Sequence, residues 1–394
     1  MTARTPKKAK TNKIIGDNIL MNFPIKNPTF LLPKKEFQLE KWSCIACDQH
    51  TSDQSYWQKL SEFVGYNKST LNLIFPEVYL HSKPESEILD KIQGYTKEYI
   101  NAKMFNSFNG MVKIERKVSN GKTRHGVLIA IDLEDYSFEK GLEPQIRASE
   151  GTVLERIPPR VRVREKTGLE MSHVMLLYDD PSYIVNDAVS KAKTTPLYNF
   201  NLNMNGGNIS GELIKDSTSI MSAFSQLQAA SVARYGKPFL FAVGDGNHSL
   251  AAAKAVYEKA KQKGEGEKCR YALCEAVNIY DEALEFEPIY RLVFCKNSTN
   301  FLEKLNKKFP TDPIEAVRHV DSFIEKNKLE ADYIHGEDNL LKLASEHNAA
   351  AVKLKAIEKA GFFPYIAKNG ALPKKTFSMG EAEDKRYYLE TQPI

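Results

Sequence analysis

Hydrophobic positions along this chain follow two periods. Residues 111–133, MVKIERKVSNGKTRHGVLIAIDL, set two alternating or apolar runs on either side of Asn120-Gly121, a dipeptide suited to a turn with positive φ, and predict a β-hairpin. In SDQSYWQKLSEFVG, Tyr56, Leu60, Phe63 and Val64 recur at helical spacing; Ser52 or Asp53 is available as N-cap and Gly65 as a stop. An apolar stretch over 41–47 precedes that helix and ends at Asp48. STLNLIFPEVYL predicts an extended apolar run, and HVMLLYDDPS a strand leading to a turn. PPRVRVRE, residues 158–165, alternates arginine with valine; as a strand it would put Arg160, Arg162 and Arg164 on one face.

The second half continues the mixture. Residues 199–211, with Gly206-Gly207, are polar and predict a flexible loop. In GKPFLFAVGDGNHSLAAAKAVYEKAK the apolar run Phe239 to Val243 enters the polar knot Gly244-Asp245-Gly246-Asn247-His248-Ser249, and an alanine-rich helical pattern follows. RYALCEAVNIYDEALEFEPIYRLVF predicts two strands around Asp281-Glu282. Residues 299–360 read as mainly helical, and the tail GALPKKTFSMGEAEDKRYYLE restores turns and strands. No repeat is apparent, and the whole predicts a mixed α/β fold.

Charge alters this picture only at one end. The formal net charge is +5, and Arg4, Lys7, Lys8, Lys10 and Lys13 supply five positive charges before any acid appears, so the remainder is formally neutral. Residues 1–17 read as a disordered basic arm, and the body offers no basic surface for nucleic acid. No apolar run approaches the roughly 18 residues of a membrane span, and no apolar h-region marks a secretory signal. Five cysteines, an odd number, point to a reducing, cytoplasmic compartment. Cys44 and Cys47 have C-x-x-C spacing, but Cys269, Cys274 and Cys295 supply no second close pair for zinc. Gly121-Lys122-Thr123 has the ending of a P-loop, yet Arg116 stands where its first glycine belongs and the context is strand-turn-strand.

The knot at 244–249 carries the most chemistry. A strand, a glycine turn and a helix put unpaired backbone N–H groups and the positive end of a helix dipole at its start, a natural anion seat. Gly244 and Gly246 would let a phosphate approach the main chain. Asp245 could hold Mg2+ or a substrate ammonium, and His248 could donate to a phosphoryl oxygen or move a proton. The alternative is that Asp245 or Asn247 merely caps the helix. Elsewhere, Arg147 and Glu150 could hold a zwitterion, with Thr152 adding a hydroxyl. Asp48 and His50 form a third cluster, in which a carboxylate could act as general base. The tail gathers Lys374, Lys375, Thr376, Ser378, Glu381, Lys385 and Arg386.

Six blocks in order, WSCIACDQHTSDQSYW, STLNLIFPEVYL, IRASEGTVLERIPPRV, FAVGDGNHSLAAAK, NIYDEALEFEPIYR and KKTFSMGEAEDKRYYLE, resemble long-uncharacterised bacterial and protist proteins that share a ParB-like core with the free serine kinases. The resemblance runs from Trp42 to Glu390. It implies a ParB/sulfiredoxin-like core with additional strands, a catalytic region over 18–298, and a helical segment and terminal strand over 299–394 completing the site. It also implies phosphorylation of free L-serine to O-phospho-L-serine, as in serine metabolism and cysteine biosynthesis, without a P-loop. The donor would be inorganic diphosphate, ATP or ADP; the arginine stripe favours diphosphate. Asp245, Gly246 and His248 match the group's Asp-Gly-x-His turn, while Asn247 and Ser249 replace the histidine and arginine of the commoner DGHHR form.

Under that resemblance Asp48 or Glu150 would take the hydroxyl proton and Asp245 would hold Mg2+. Gly244, Gly246, Asn247, His248 and Ser249 would bind the moving phosphoryl group. Arg147 and Thr152 would hold the serine, with Arg160, Arg162 and Lys375 on the donor. The competing readings are a ParB-like nucleotide-binding regulator and another small-molecule phosphotransferase or hydrolase.

Overall fold

The computed structural model describes residues 22–51, 53–79, 84–152, 154–171 and 173–394, so the basic arm and Ser52 lie outside the described residues. The chain is mixed α/β. Its centre is a ten-stranded sheet in the order Thr194–Asn201, Asn208–Ile214, Val112–Lys117, Thr123–Asp132, Tyr271–Asn278, Met175–Tyr178, Phe241–Asp245, Ile146–Ala148 and Tyr136–Ser137, with Ile25–Lys26 paired to Thr123–Asp132. The expected hairpin over 111–133 supplies two adjacent antiparallel strands, with Gly121 at φ 80° in its turn.

Alternation along these strands fills two cores. Val127, Ile129 and Ile131 enter one face with Cys274 and Ala276, while Leu128 and Leu273 enter the other with Trp42, Trp57 and Tyr387. The strand Phe241–Asp245 obeys the same rule: Phe241 and Val243 join the first core, and Ala242 a third with Met379 and Phe377. The third core also contains Ile366 and Leu372, so the tail packs directly beneath the knot.

Four expectations need correction. PPRVRVRE is helical, Ile157–Thr167, not a strand. Proline lies in its first turn, where no N–H is required, Gly168 closes it in the left-handed region, and Ile157 and Val161 pack on Ala251 and Ala252. Packing against the alanine helix therefore overrides the valine alternation. STLNLIFPEVYL forms the 3-10 turns Thr70–Leu73 and Glu77–Tyr79 instead of an extended run. The Ser69 and Thr70 hydroxyls there donate to the Trp42 carbonyl. The polar loop over 199–211 is instead the end of a hairpin whose Tyr198 and Ile209 are core residues. Finally, 299–360 is not simply helical: Tyr290–Phe294, Glu330–Ile334 and Ala350–Val352 form a separate three-stranded sheet. Helices Ser298–Asn306, Pro313–Lys326 and Glu337–His347 accompany that sheet, and the lobe has its own core around Val293, Val317 and Val320.

The helix at 54–64 is as expected, with Asp53 Oδ1 accepting from Tyr56 N and Gly65 at φ 57°. Cys44 and Cys47 are neutral thiols: burial pushes them up to about 12 and about 11.

Gly126 is required by a buried charge. A Cβ there would stand 2.3 Å from Glu275 Oε1 and 2.7 Å from its Cγ. Gly126→Ala is expected to destabilise the protein by about 1–3 kcal/mol through overpacking, read as a lower denaturant midpoint with an unchanged slope.

Candidate active site

The strand Phe241–Asp245 passes through Gly246 into the helix Asn247–Gln262. Gly246 sits at φ 85°, ψ 25°, left-handed backbone that favours glycine, and a Cβ would lie 3.1 Å from Val174 Cα. Gly244 serves another purpose. It stays within the strand, where a Cβ would meet Leu177 Cγ and Met379 Cε at 2.9 Å, so its smallness admits the tail. Among the described residues no side chain caps this helix, and its first backbone closure is Leu250 N to Gly246 O at 3.0 Å. Capping by Asp245 or Asn247 is thereby excluded: Asp245 Oδ2 and Asn247 Oδ1 are buried without a hydrogen-bond partner among the described residues.

The knot opens on a polar cavity of about 530 Å³. It is lined by Asp48, Glu150, Gly244, Asp245, Gly246, Asn247 and His248, and by Lys374, Lys375, Ser378, Glu381 and Lys385 of the tail, all singled out in the sequence, together with Gln49, Ser149, Tyr333 and His335. Arg156 lines this cavity and also an adjoining, more apolar chamber of about 590 Å³, walled by Ile74, Phe75, Val163, Leu169 and Met171.

Asp48 lines the polar cavity, next to Cys47 of the apolar chamber. Burial opposes its ionisation, but the charges of His173 and Arg160, with a hydrogen bond from Gln49, bring the carboxyl down to about 2. Gln49 Nε2 donates to its Oδ1 at 3.2 Å, and Arg160 Nη2 stands 3.5 Å from its Oδ2. The same Nη2 lies 2.6 Å from Glu77 Oε1. His248 is the converse case: burial, then Arg160 and Arg156, lower its imidazole to about 4, so it is neutral at pH 7. Glu150 differs from Asp48. Its oxygens accept the backbone N–H groups of Thr376 and Lys375 at 3.1 and 3.3 Å, and burial raises its pKa. Glu150 thus secures the turn in which Lys375 adopts φ 56°, and Arg291 donates to the Lys375 carbonyl at 3.1 Å.

Other expected residues do not converge on the cavity. Arg162 pairs bidentately with Glu85 on the surface, at 2.6 and 2.8 Å. Arg160 faces the apolar chamber, so the two arginines share no anion-binding face. Arg147 donates to the Pro144 carbonyl and stacks on Phe239, with its guanidinium carbon 4.2 Å from the ring centroid; it does not line the cavity. Neither does Thr152, whose Oγ1 is buried without a partner among the described residues. Ser249 turns to the apolar chamber, 3.1 Å from His173 Nε2.

A family model described as "Protein of unknown function (DUF1015)" matches residues 31–393. The chain belongs to that family. No curated protein matches this DUF1015 member. Among solved structures, "Free serine kinase in complex with AMP" overlaps 66% of this chain and 90% of its own, with 9% identity and a TM-score of 0.36. A free serine kinase mutant in complex with ADP overlaps 66% and 91%, with 9% identity and a TM-score of 0.36. A conserved hypothetical protein from Pyrococcus furiosus overlaps 66% and 93%, with 10% identity and a TM-score of 0.34. Overlap of this degree leaves the functional argument to the site itself.

Sequence reasoning passed over His173 in this DUF1015 chain. Met175 pairs with Asp245 across antiparallel strands, which brings His173 beside the knot; that register is invisible in one sequence. Glu77, Tyr333 and His335 were equally hidden, because they arrive from a 3-10 turn and from the separate lobe.

The His248 ring is expected to titrate near pH 4 in the free protein, and inorganic diphosphate should raise that midpoint by favouring imidazolium. Histidine C–H NMR, assigned with His248→Gln, checks this; an unmoved midpoint removes His248 from the anion seat. The same depression makes stability fall as pH drops from 6.5 towards 4, since the unfolded imidazole accepts a proton that the folded one refuses.

Proposed function

We propose that this protein is a phosphotransferase that phosphorylates free L-serine to O-phospho-L-serine, using inorganic diphosphate or a nucleotide, on a ParB-like core. The observation carrying this reading is the uncapped helix at Asn247, which opens on a cavity holding an unpartnered Asp245 oxygen, the Asp48 carboxylate and His248. In this reading residues 18–298 form the catalytic region and 299–394 complete the cavity.

The acceptor hydroxyl oxygen attacks the terminal phosphorus and the bond to the leaving phosphate oxygen breaks. The hydroxyl proton passes to Asp48, since Glu150 is engaged by backbone N–H groups. Gly246, Asn247 and His248 position the transferring phosphoryl group, and Lys375 reaches the donor. No group of three His, Cys, Asp or Glu side chains able to hold a metal occurs among the described residues. Asp245 nevertheless fits Mg2+, which commonly takes one or two carboxylates with substrate phosphates and water. Bound there, Mg2+ would supply neutralisation of phosphate charge.

Diphosphate loses the support of an arginine stripe, because that segment is a helix whose arginines diverge. The adjoining apolar chamber favours a second reading of the donor, a nucleotide whose base enters among Ile74, Phe75, Leu169 and Met171.

Incubation with Mg2+, L-serine and, separately, diphosphate, polyphosphate, ADP or ATP is expected to give phosphoserine with one donor class, detected by mass spectrometry. Its absence with every donor would sink the kinase reading. Asp245→Asn should lower turnover by about a hundredfold or more with an unchanged Tm; full activity in that variant would exclude a role in transfer.

A further inference from the structure

Lys385 is 9% exposed and lines the polar cavity. Its Nζ donates to the Met379 carbonyl at 3.0 Å. Among the described residues it forms no ion pair within 4.0 Å. A buried ammonium is ordinarily paired with a carboxylate. Here one of three donor hydrogens is used, and the charge stays uncompensated beside open space.

The surroundings define what would compensate it. His335, brought from the three-stranded lobe at the end of Glu330–Ile334, lines the same cavity. Burial, then the charges of Lys375 and Lys385, lower its pKa, so the three basic groups share one field. Carboxylates stand further off. Burial and Glu381 raise the Glu287 carboxyl while Lys385 lowers it, and Glu381 itself lines the cavity. A buried ammonium beside a neutral imidazole, with acids at the margin, suits a zwitterion better than a second phosphate, which those acids would repel.

We propose that Lys385, assisted by His335, is the seat for the α-carboxylate of an amino-acid acceptor. This rests on the kinase reading above and fills the role that Arg147 cannot, since Arg147 lies outside the cavity. The lobe therefore takes part in acceptor selection through His335, and the C-terminal segment through Lys385.

Calorimetric titration of the whole protein with O-phospho-L-serine, O-phosphoethanolamine and diphosphate tests the seat without turnover. O-phosphoethanolamine keeps the phosphate and ammonium but lacks the carboxylate. Lys385→Met, which keeps the aliphatic stem, should weaken O-phospho-L-serine binding about tenfold or more and leave the other two unchanged. His335→Asn should give a smaller loss confined to the same ligand, and it decides the matter if Lys385→Met does not fold. The KM for L-serine should rise in step while that for the donor holds.

Equal losses for all three ligands would assign Lys385 to phosphate and overturn the proposal. So would unchanged O-phospho-L-serine affinity in the folded variants, or no binding by the unaltered protein. Absence of phosphoserine production by the unaltered protein would instead strike the kinase reading, and carboxylate-dependent binding would still decide the seat.

Discussion

The polar cavity beside the Gly244–Ser249 knot depends on a charge buried in the middle of the sheet. Glu275 is wholly inaccessible, and Arg124 and Arg386 are nearly so. Arg386 Nη1 lies 2.8 Å from Glu275 Oε2 and its Nη2 2.6 Å from Glu390 Oε2, while Arg124 Nε stands 3.5 Å from Glu275 Oε1. Burial opposes ionisation of Glu275, but Arg124, Arg386 and Arg116 hold its carboxyl below the usual range. Isolated ions would not survive there. Losing one partner of such a cluster typically costs about 3–5 kcal/mol, because the remaining charge stays buried.

What the cluster fastens is the last part of the chain. Arg116 donates to the carbonyls of Gly206, Lys385 and Glu383, and Arg124 to that of Asp384 at 2.9 Å. Tyr198 donates to Glu390 at 2.5 Å. The segment from Glu383 to Glu390 is therefore tied by its main chain to strands remote in sequence, and Met379 and Lys385 are delivered beside the knot. Charged residues here work as fasteners of backbone, and this specifies geometry more than it adds stability.

Legibility in the sequence followed the range of the interactions involved. The hairpin at Asn120-Gly121, the helix capped by Asp53 and the strand-turn-helix at Asp245 rest on neighbours within a few residues, and each was readable. PPRVRVRE was not, because its helix is selected by Ala251 and Ala252 on another helix. Around the polar cavity, Asp48, Asp245, Asn247 and His248 were readable as polar groups just after apolar runs, where side chains have little core to join. Arg147 and Arg162 looked equally suitable by type, yet one stacks on Phe239 and the other pairs with Glu85. Residue type marks what chemistry is possible, and only strand register decides which groups meet.

The ionisation of Asp48 bears on how such a site could work. A carboxylate brought down to about 2 by His173 and Arg160 is a weak base, unable to remove a serine proton before reaction begins. Phosphoryl transfer does not ask for that. In a loose transition state the attacking oxygen gains bonding to phosphorus late, and its proton becomes acidic only then. In the proposed kinase reading, a carboxylate fixed in place and ionised at every working pH would be sufficient, because positioning, not basicity, would carry the acceleration. Neutral His248 complements it: depressed to about 4 by burial and two arginines, it would gain a proton if an arriving anion offset those arginines. Arg160 is common to both: with His173 it holds Asp48 charged, and with burial and Arg156 it keeps His248 uncharged, so one guanidinium acts on both groups before any substrate enters.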